Sequence, residues 1–126
     1  MLNAVLAVGV GAAIGAWARW GLALLLNDGL IPLGTLLANW IGGYLMGVAM
    51  AFFLLTPNIS AEVRLLVTTG FLGGLTTFST FSAEAFNLLN RHHYMMALTH
   101  VLSHVLGSIV MTGLGYLTVQ YFRHPS

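Results

Sequence analysis

Apolar residues run in four long stretches, each closed by a cluster of turn-forming residues. The first extends from about Leu2 to Leu26 and ends at Asn27-Asp28-Gly29 and Pro32. The second covers about Leu33 to Leu55 and stops at Thr56-Pro57-Asn58. A third begins near Ala61, where Ser60 is placed to cap a helix with Glu62 in its first turn, and continues to about Asn90. The fourth runs from about Tyr94 to Phe122 and closes at Arg123-His124-Pro125. Each stretch reaches or exceeds the roughly 20 residues that a helix needs to cross a bilayer. The pattern predicts an all-α integral membrane protein, a single four-helix domain over residues 1–126. Connections this short make neighbouring helices antiparallel. Trp20, Tyr94, Tyr121 and Phe122 fall near helix ends, where aromatic side chains form interfacial belts.

The third stretch departs from a plain spanning helix. Between Thr68 and Ser82 it carries three glycines (Gly70, Gly73, Gly74) and seven hydroxyl residues, where the bilayer midplane should lie. Glycine costs about 1 kcal/mol relative to alanine in a helix, and the Gly-Gly pair is followed by the β-branched Thr76 and Thr77. We therefore expect a break over residues 73–77. Irregular backbone at that depth is tolerated only when buried in protein or lining a cavity. Close packing through the Gly70/Gly74 small-xxx-small pair is the alternative, but it leaves the adjacent hydroxyls unexplained. The Gly11/Gly15 and Gly43/Gly47 pairs are assigned to helix packing alone.

Composition removes most other classes. Only 6% of the 126 residues are charged (four Arg, one Asp, two Glu) and 58% are hydrophobic, with a mean hydropathy of +0.89. Water-soluble surfaces want roughly 25–35% charged residues. A net charge of +1 leaves no basic patch for nucleic acid. The absence of cysteine excludes disulfides, thiolate catalysis and Cys-ligated metal. The N-terminal apolar run has no Arg or Lys ahead of it and is taken as a retained helix rather than a signal peptide. No length remains for a separate catalytic domain.

The arginines bear on orientation, which follows the excess of Lys and Arg in cytoplasmic loops. With the N-terminus inside, Arg64 and Arg123 lie inside while Arg19 and Arg91 lie outside. Two against two favours neither orientation. The expectation is a chain that inserts both ways and assembles as an antiparallel dimer.

Few ionisable residues approach membrane depth. Arg19 and Glu84 come nearest, both toward helix ends, and are read either as vestibule groups or as interfacial anchors. With no carboxylate in the middle of a helix, a proton-coupled cation exchanger is disfavoured. Neutral polar residues lie deeper. Asn39 sits mid-way along helix two with Thr35 one turn before it, and its alternative role is interhelical hydrogen bonding. His100, His104, Ser108 and Thr112 repeat every four residues and form one stripe, suited to a pore or cavity lining. The histidines have metal-ligand spacing, but no carboxylate or cysteine lies near them in the chain, so a metal is not assigned to them. Phe78 and Phe81 share a face among Ser79, Thr80 and Ser82. A phenyl edge is positive, so such edges beside neutral donors suit a small anion.

The segments Gly11-Ala12-Ala13-Ile14-Gly15-Ala16-Trp17-Ala18-Arg19-Trp20, Gly34-Thr35-Leu36-Leu37-Ala38-Asn39 and Gly70 to Ser82 closely resemble the Fluc (CrcB-type) fluoride channels. The likeness covers nearly the whole chain, and Gly-Gly-Leu-Thr-Thr-Phe-Ser-Thr-Phe-Ser is highly specific. It implies an antiparallel, dual-topology homodimer in the bacterial inner membrane, exporting fluoride passively through two pores and so conferring fluoride resistance. A structural sodium ion on the two-fold axis would be held by the backbone carbonyls of Gly73 and Thr76 from both subunits. The resemblance makes Phe78 and Phe81 an aromatic box, Asn39 a vestibule residue, and Ser79 and Thr80 pore hydroxyls. Its polar track on helix four falls on His100, His104 and Ser108. Some relatives have Tyr and Ser where His100 and His104 stand. Histidines near their unperturbed pKa of about 6.5 would make flux depend on pH.

Two rival classes remain. A small multidrug-resistance-type exchanger is also a four-helix, dual-topology protein, but it needs a membrane-embedded Glu in helix one, which this chain lacks. A structural assembly factor fits the glycines and leaves the polar stripe and the broken helix without a purpose.

Overall fold

The computed structural model describes residues 1–123, which form helices joined by short turns, with no strand among them. The expected closing residues His124 and Pro125 lie outside the described residues. Helix α1 spans Leu2–Leu26 and α2 spans Leu33–Leu55. Pro32 precedes α2 and has no side-chain oxygen to cap it, so Asn27 does so from across the turn. Its Oδ1 accepts from the backbone N–H groups of Gly34 (2.7 Å) and Thr35 (3.2 Å), two of the four donors that a helix start leaves unpaired.

The third stretch is assembled from pieces. Ser60 caps α3 (Ala61–Leu65) by accepting from Val63 N at 3.2 Å, and Glu62 lies in its first turn. The chain then widens into a π-helical segment, Leu66–Leu72, tightens into the short α4 (Gly73–Leu75) and leaves the helix at Thr76 and Thr77. Helix α5 starts at Phe78 and runs to Asn90. The interruption is thus narrower than the expected 73–77: Gly73 and Gly74 stay helical, and the two threonines are extended. The β-branched pair suits extended backbone, and the Thr77 hydroxyl caps α5 by accepting from Thr80 N at 3.1 Å. The π segment had no counterpart in the sequence pattern. Within it the Thr68 hydroxyl donates to the Arg64 carbonyl at 2.7 Å, competing with the ordinary backbone ladder. A left-handed turn at His92 leads into α6, Tyr94–Arg123.

Helices α1, α2 and α6 are each long and apolar enough to cross a membrane, so the chain is a multi-pass membrane protein. α2 lies along α6, and α1 packs on the π segment and α4. Small residues set both seams. Gly11 and Gly15 meet the backbone of residues 66–75, Gly70 and Gly74 meet the backbone of α1, and Gly47 meets α6 at Thr112 and Tyr116. Gly70 and Gly74 therefore serve packing while the break lies just beyond them, so the two alternatives coexist. Leu72, Leu75 and Ala38 form the buried centre, packed by Leu22, Leu45, Met46, Val67 and Phe71. Large apolar side chains such as Val10, Ile14, Leu106 and Ile109 cover the outside, as a surface facing lipid or a second copy requires.

A methyl group on Gly47 would overlap the Thr112 carbonyl and come within 2.8 Å of the Tyr116 nitrogen, whereas one on Gly9 meets nothing within 4 Å. Gly47→Ala is expected to lose about 1–3 kcal/mol through overpacking. Gly9→Ala should be neutral or gain up to about 1 kcal/mol. Thermal unfolding of both variants in detergent checks this, and equal stability would contradict the assigned seam.

Candidate functional site

Asn39 holds the broken end of the third stretch. Its Oδ1 accepts from the Thr77 N–H at 2.8 Å, and its Nδ2 donates to the Thr77 carbonyl at 3.1 Å. A side-chain amide thereby replaces the backbone partners that Thr77 loses on leaving the helix. The same Nδ2 lies 2.9 Å from His104 Nδ1, which accepts its second hydrogen. Diverting the Thr77 N–H to Asn39 releases the Gly73 carbonyl from its usual helical partner, and the Thr77 cap on Thr80 N does the same for the Thr76 carbonyl. The Gly74 carbonyl is taken up by Arg19 Nε at 3.1 Å. Arg19 accordingly reaches into the protein at the break rather than serving only as an interfacial anchor.

A second polar group forms beside α5. Glu84 Oε2 accepts from the buried Thr35 hydroxyl at 2.6 Å, and Thr35 in turn accepts from Asn27 Nδ2 at 3.1 Å. Glu84 Oε1 lies 3.3 Å from His100 Nε2, not aligned for a hydrogen bond. Glu84 is therefore a partly buried residue, its side chain tied to Thr35 and turned toward His100. Nor are the histidines remote from a carboxylate: the fold brings Glu84 to them across 16 positions of sequence from His100, and ligand atoms of Glu84, His100 and His104 lie within 4.8 Å of one another. Phe81 is sandwiched against both histidines, at ring-centroid distances of 5.3 Å to His100 and 4.6 Å to His104.

Two cavities flank this cluster. One, of about 410 Å³, is bordered by Asn39, Thr76, Thr77, Phe78, Phe81, His104, Ser108 and Thr112. The other, of about 130 Å³, lies under the α1–α2 turn and is bordered by Glu84, Asn87 and Arg91. His104 and Phe81 face the first and Glu84 the second, with the buried His100 between them.

The sequence-predicted residues thus separate. Asn39, Phe78, Phe81, His104 and Ser108 meet at the larger cavity, joined by Thr76 and Thr112. His100 stands behind it. Phe78 and Phe81 touch edge to face at 5.5 Å, yet Phe81 is 7% exposed and Phe78 76% exposed. Gly73 and Ser79 are also exposed, and Thr80 contributes its backbone N–H to the α5 cap. Asn27 and Thr35 are the polar residues that sequence reasoning left without a role here. The spacing of Asn27 before a helix lacking its own cap is the signal that could have shown the first. The larger cavity carries no permanent charge, and α5 begins at its edge, where unpaired N–H groups and the helix dipole favour an anion.

Comparison with known proteins agrees with this chemistry. The pattern of the family described as CrcB-like protein, Camphor Resistance (CrcB), matches residues 6–116. The chain is 52% identical over 123 residues to a protein of Pseudomonas putida (strain W619) named fluoride-specific ion channel FluC, covering 96% of this chain and 97% of that one. It is 51% identical over 125 residues to the protein of the same name from Nitrosomonas europaea, covering 98% of each. A third, from Thiobacillus denitrificans, is 49% identical over 124 residues, covering 97% of this chain and all of the relative.

Proposed function

The chain belongs to the CrcB-like protein family, and on that footing we propose that it is a fluoride channel rather than an enzyme, letting fluoride leave the cell passively. The carrying observation is the uncharged cavity of about 410 Å³ at the helix break, where Asn39, Ser108, the α5 N-terminus and the phenyl rings converge. A conduit must bind its ion firmly enough to admit it and weakly enough to release it. Fixed cations would trap fluoride, and fixed anions would exclude it. The Ser108 hydroxyl and the backbone N–H groups at the start of α5, with positive phenyl edges, lie between those extremes.

The proposal includes a fourth span made by the interrupted stretch from Ala61 to Asn90 and an antiparallel homodimer, inserted both ways in the bacterial inner membrane with two pores. Its support is the two-against-two arginine placement and the exposure of Phe78 and Gly73, site residues that a second copy would cover. The sodium site fits the donor chemistry: Gly73 and Thr76 offer carbonyls whose helical partners are diverted to Asn39 and Thr77. Both copies together would hold the ion with four such oxygens, and the ion would satisfy these unpaired carbonyl dipoles and tie the two copies together at the two-fold axis.

Fluoride efflux from liposomes, followed with a fluoride electrode, tests the pathway. Phe81→Ile removes the ring edge, and Asn39→Asp sets a carboxylate against the Thr77 carbonyl and the entering anion. Each is expected to slow flux about tenfold or more, equivalent to at least about 1.4 kcal/mol in the barrier. Unchanged flux in both would remove these residues from the pore. Reporters fused to the C-terminus should be active on both sides of the membrane; activity on one side alone would rule out dual topology. Prolonged dialysis into sodium-free buffer is expected to lower the stability of the dimer, and indifference to sodium would argue against the carbonyl site.

A further inference from the structure

Three buried polar atoms lack hydrogen-bond partners among the described residues, and all three belong to one cluster: Glu84 Oε1, His100 Nε2 and His104 Nε2. Unsatisfied polar atoms inside an apolar protein are costly and rare. Three that converge call for a ligand of complementary chemistry. We propose that Glu84, His100 and His104 form a binding site for a zinc-class divalent transition-metal ion, and that occupancy closes the fluoride path.

Donor type and spacing support the assignment. Two imidazoles and one carboxylate are a common three-ligand set for zinc, with a fourth position left for water or an anion. Ligand atoms about 2.0–2.1 Å from a tetrahedral zinc lie roughly 3.3 Å apart, and Glu84 Oε1 to His100 Nε2 measures 3.3 Å. The full set falls within 4.8 Å, a gap that side-chain rotation can close. His100 and His104 stand one helical turn apart on α6, with rings 4.5 Å between centroids. Supporting contacts are also in place. Thr35 fixes the second oxygen of Glu84, as groups outside a metal's ligand set commonly do. In the metal-free protein Asn39 donates to His104 Nδ1, so the ring proton sits on Nε2. Coordination through Nε2 moves that proton to Nδ1, where it would face the Asn39 N–H, so the ring turns away from Asn39 as the metal binds and the Asn39–Thr77 pair is kept. Magnesium and calcium prefer all-oxygen shells, so the histidines select against them.

Position links occupancy to flux, and this step rests on the larger cavity being the fluoride path. The cluster stands between the two cavities, with Glu84 on the smaller and His104 on the larger. The smaller cavity adjoins the α1–α2 turn and gives an ion access from water; the exposed Arg91 also borders it, where solvent screens its charge. A divalent ion here would bind fluoride in its open position and deepen a site that conduction requires to be shallow.

The test uses tag-free, chelator-stripped protein. Calorimetric titration with zinc chloride should show one ion per chain, and magnesium chloride no heat. His100→Ala and His104→Ala should each weaken zinc at least about tenfold, while replacing the exposed His92 and His93 with Gln should not. Should those variants fold poorly, cobalt(II) added to the unaltered protein should give the intense visible bands of a tetrahedral site, abolished by zinc. In liposomes, saturating zinc should stop fluoride efflux and EDTA should restore it. No zinc binding by the unaltered protein, unchanged affinity in both histidine variants, or undiminished efflux at saturating zinc would overturn the proposal. Absence of fluoride flux even with EDTA would instead remove the fluoride pathway, and the blockade with it, while the titration still judges the metal site.

Discussion

Everything about the site depends on the paired hydrogen bonds between the Asn39 amide and the Thr77 backbone. A helix interrupted inside a membrane exposes N–H and C=O groups with no water to receive them, at several kcal/mol each. Asn39 satisfies both groups of one residue with a single rigid side chain. Arg19 and the Thr77 hydroxyl take two more. The carbonyls of Gly73 and Thr76 are left over, free of their helical partners. The break is thus stable in the chain itself and still has valence to spend on an ion.

That arrangement explains why the surrounding packing is so close. Gly11, Gly15, Gly70 and Gly74 bring α1 against the third stretch, and Gly47 brings α2 against α6. Asn39 sits on α2, Thr77 after α4, and His104 on α6. Only tight seams hold three separate elements within hydrogen-bond distance of one amide. Bulky side chains remain on the outer faces, where lipid or a second copy meets them.

Much of the fold was legible because punctuation in an apolar chain is unambiguous. Asn27-Asp28-Gly29, Ser60 with Glu62, and the Gly-Gly-Leu-Thr-Thr run mark ends that the structure places within a residue or two. The π-helical segment was not legible, since its wider turn comes from backbone hydrogen bonding that apolar periodicity does not encode. Neither was the inward position of Glu84. Its charge and its place toward a helix end left a vestibule group and an interfacial anchor both open, because its surroundings are set by Thr35 and His100, which are 49 and 16 residues away. The histidine stripe was visible by spacing alone. That it divides, with His104 facing the cavity and His100 facing the carboxylate, depends on how α5 crosses α6.

The central claim is that an uncharged, largely apolar cavity with hydroxyl, backbone N–H and phenyl groups at a helix break selects one small anion. Comparison of fluoride with chloride efflux from liposomes containing only the purified protein tests it most directly. The account predicts rapid fluoride release with chloride retained. Equal release of the two anions, or none of fluoride, would contradict it.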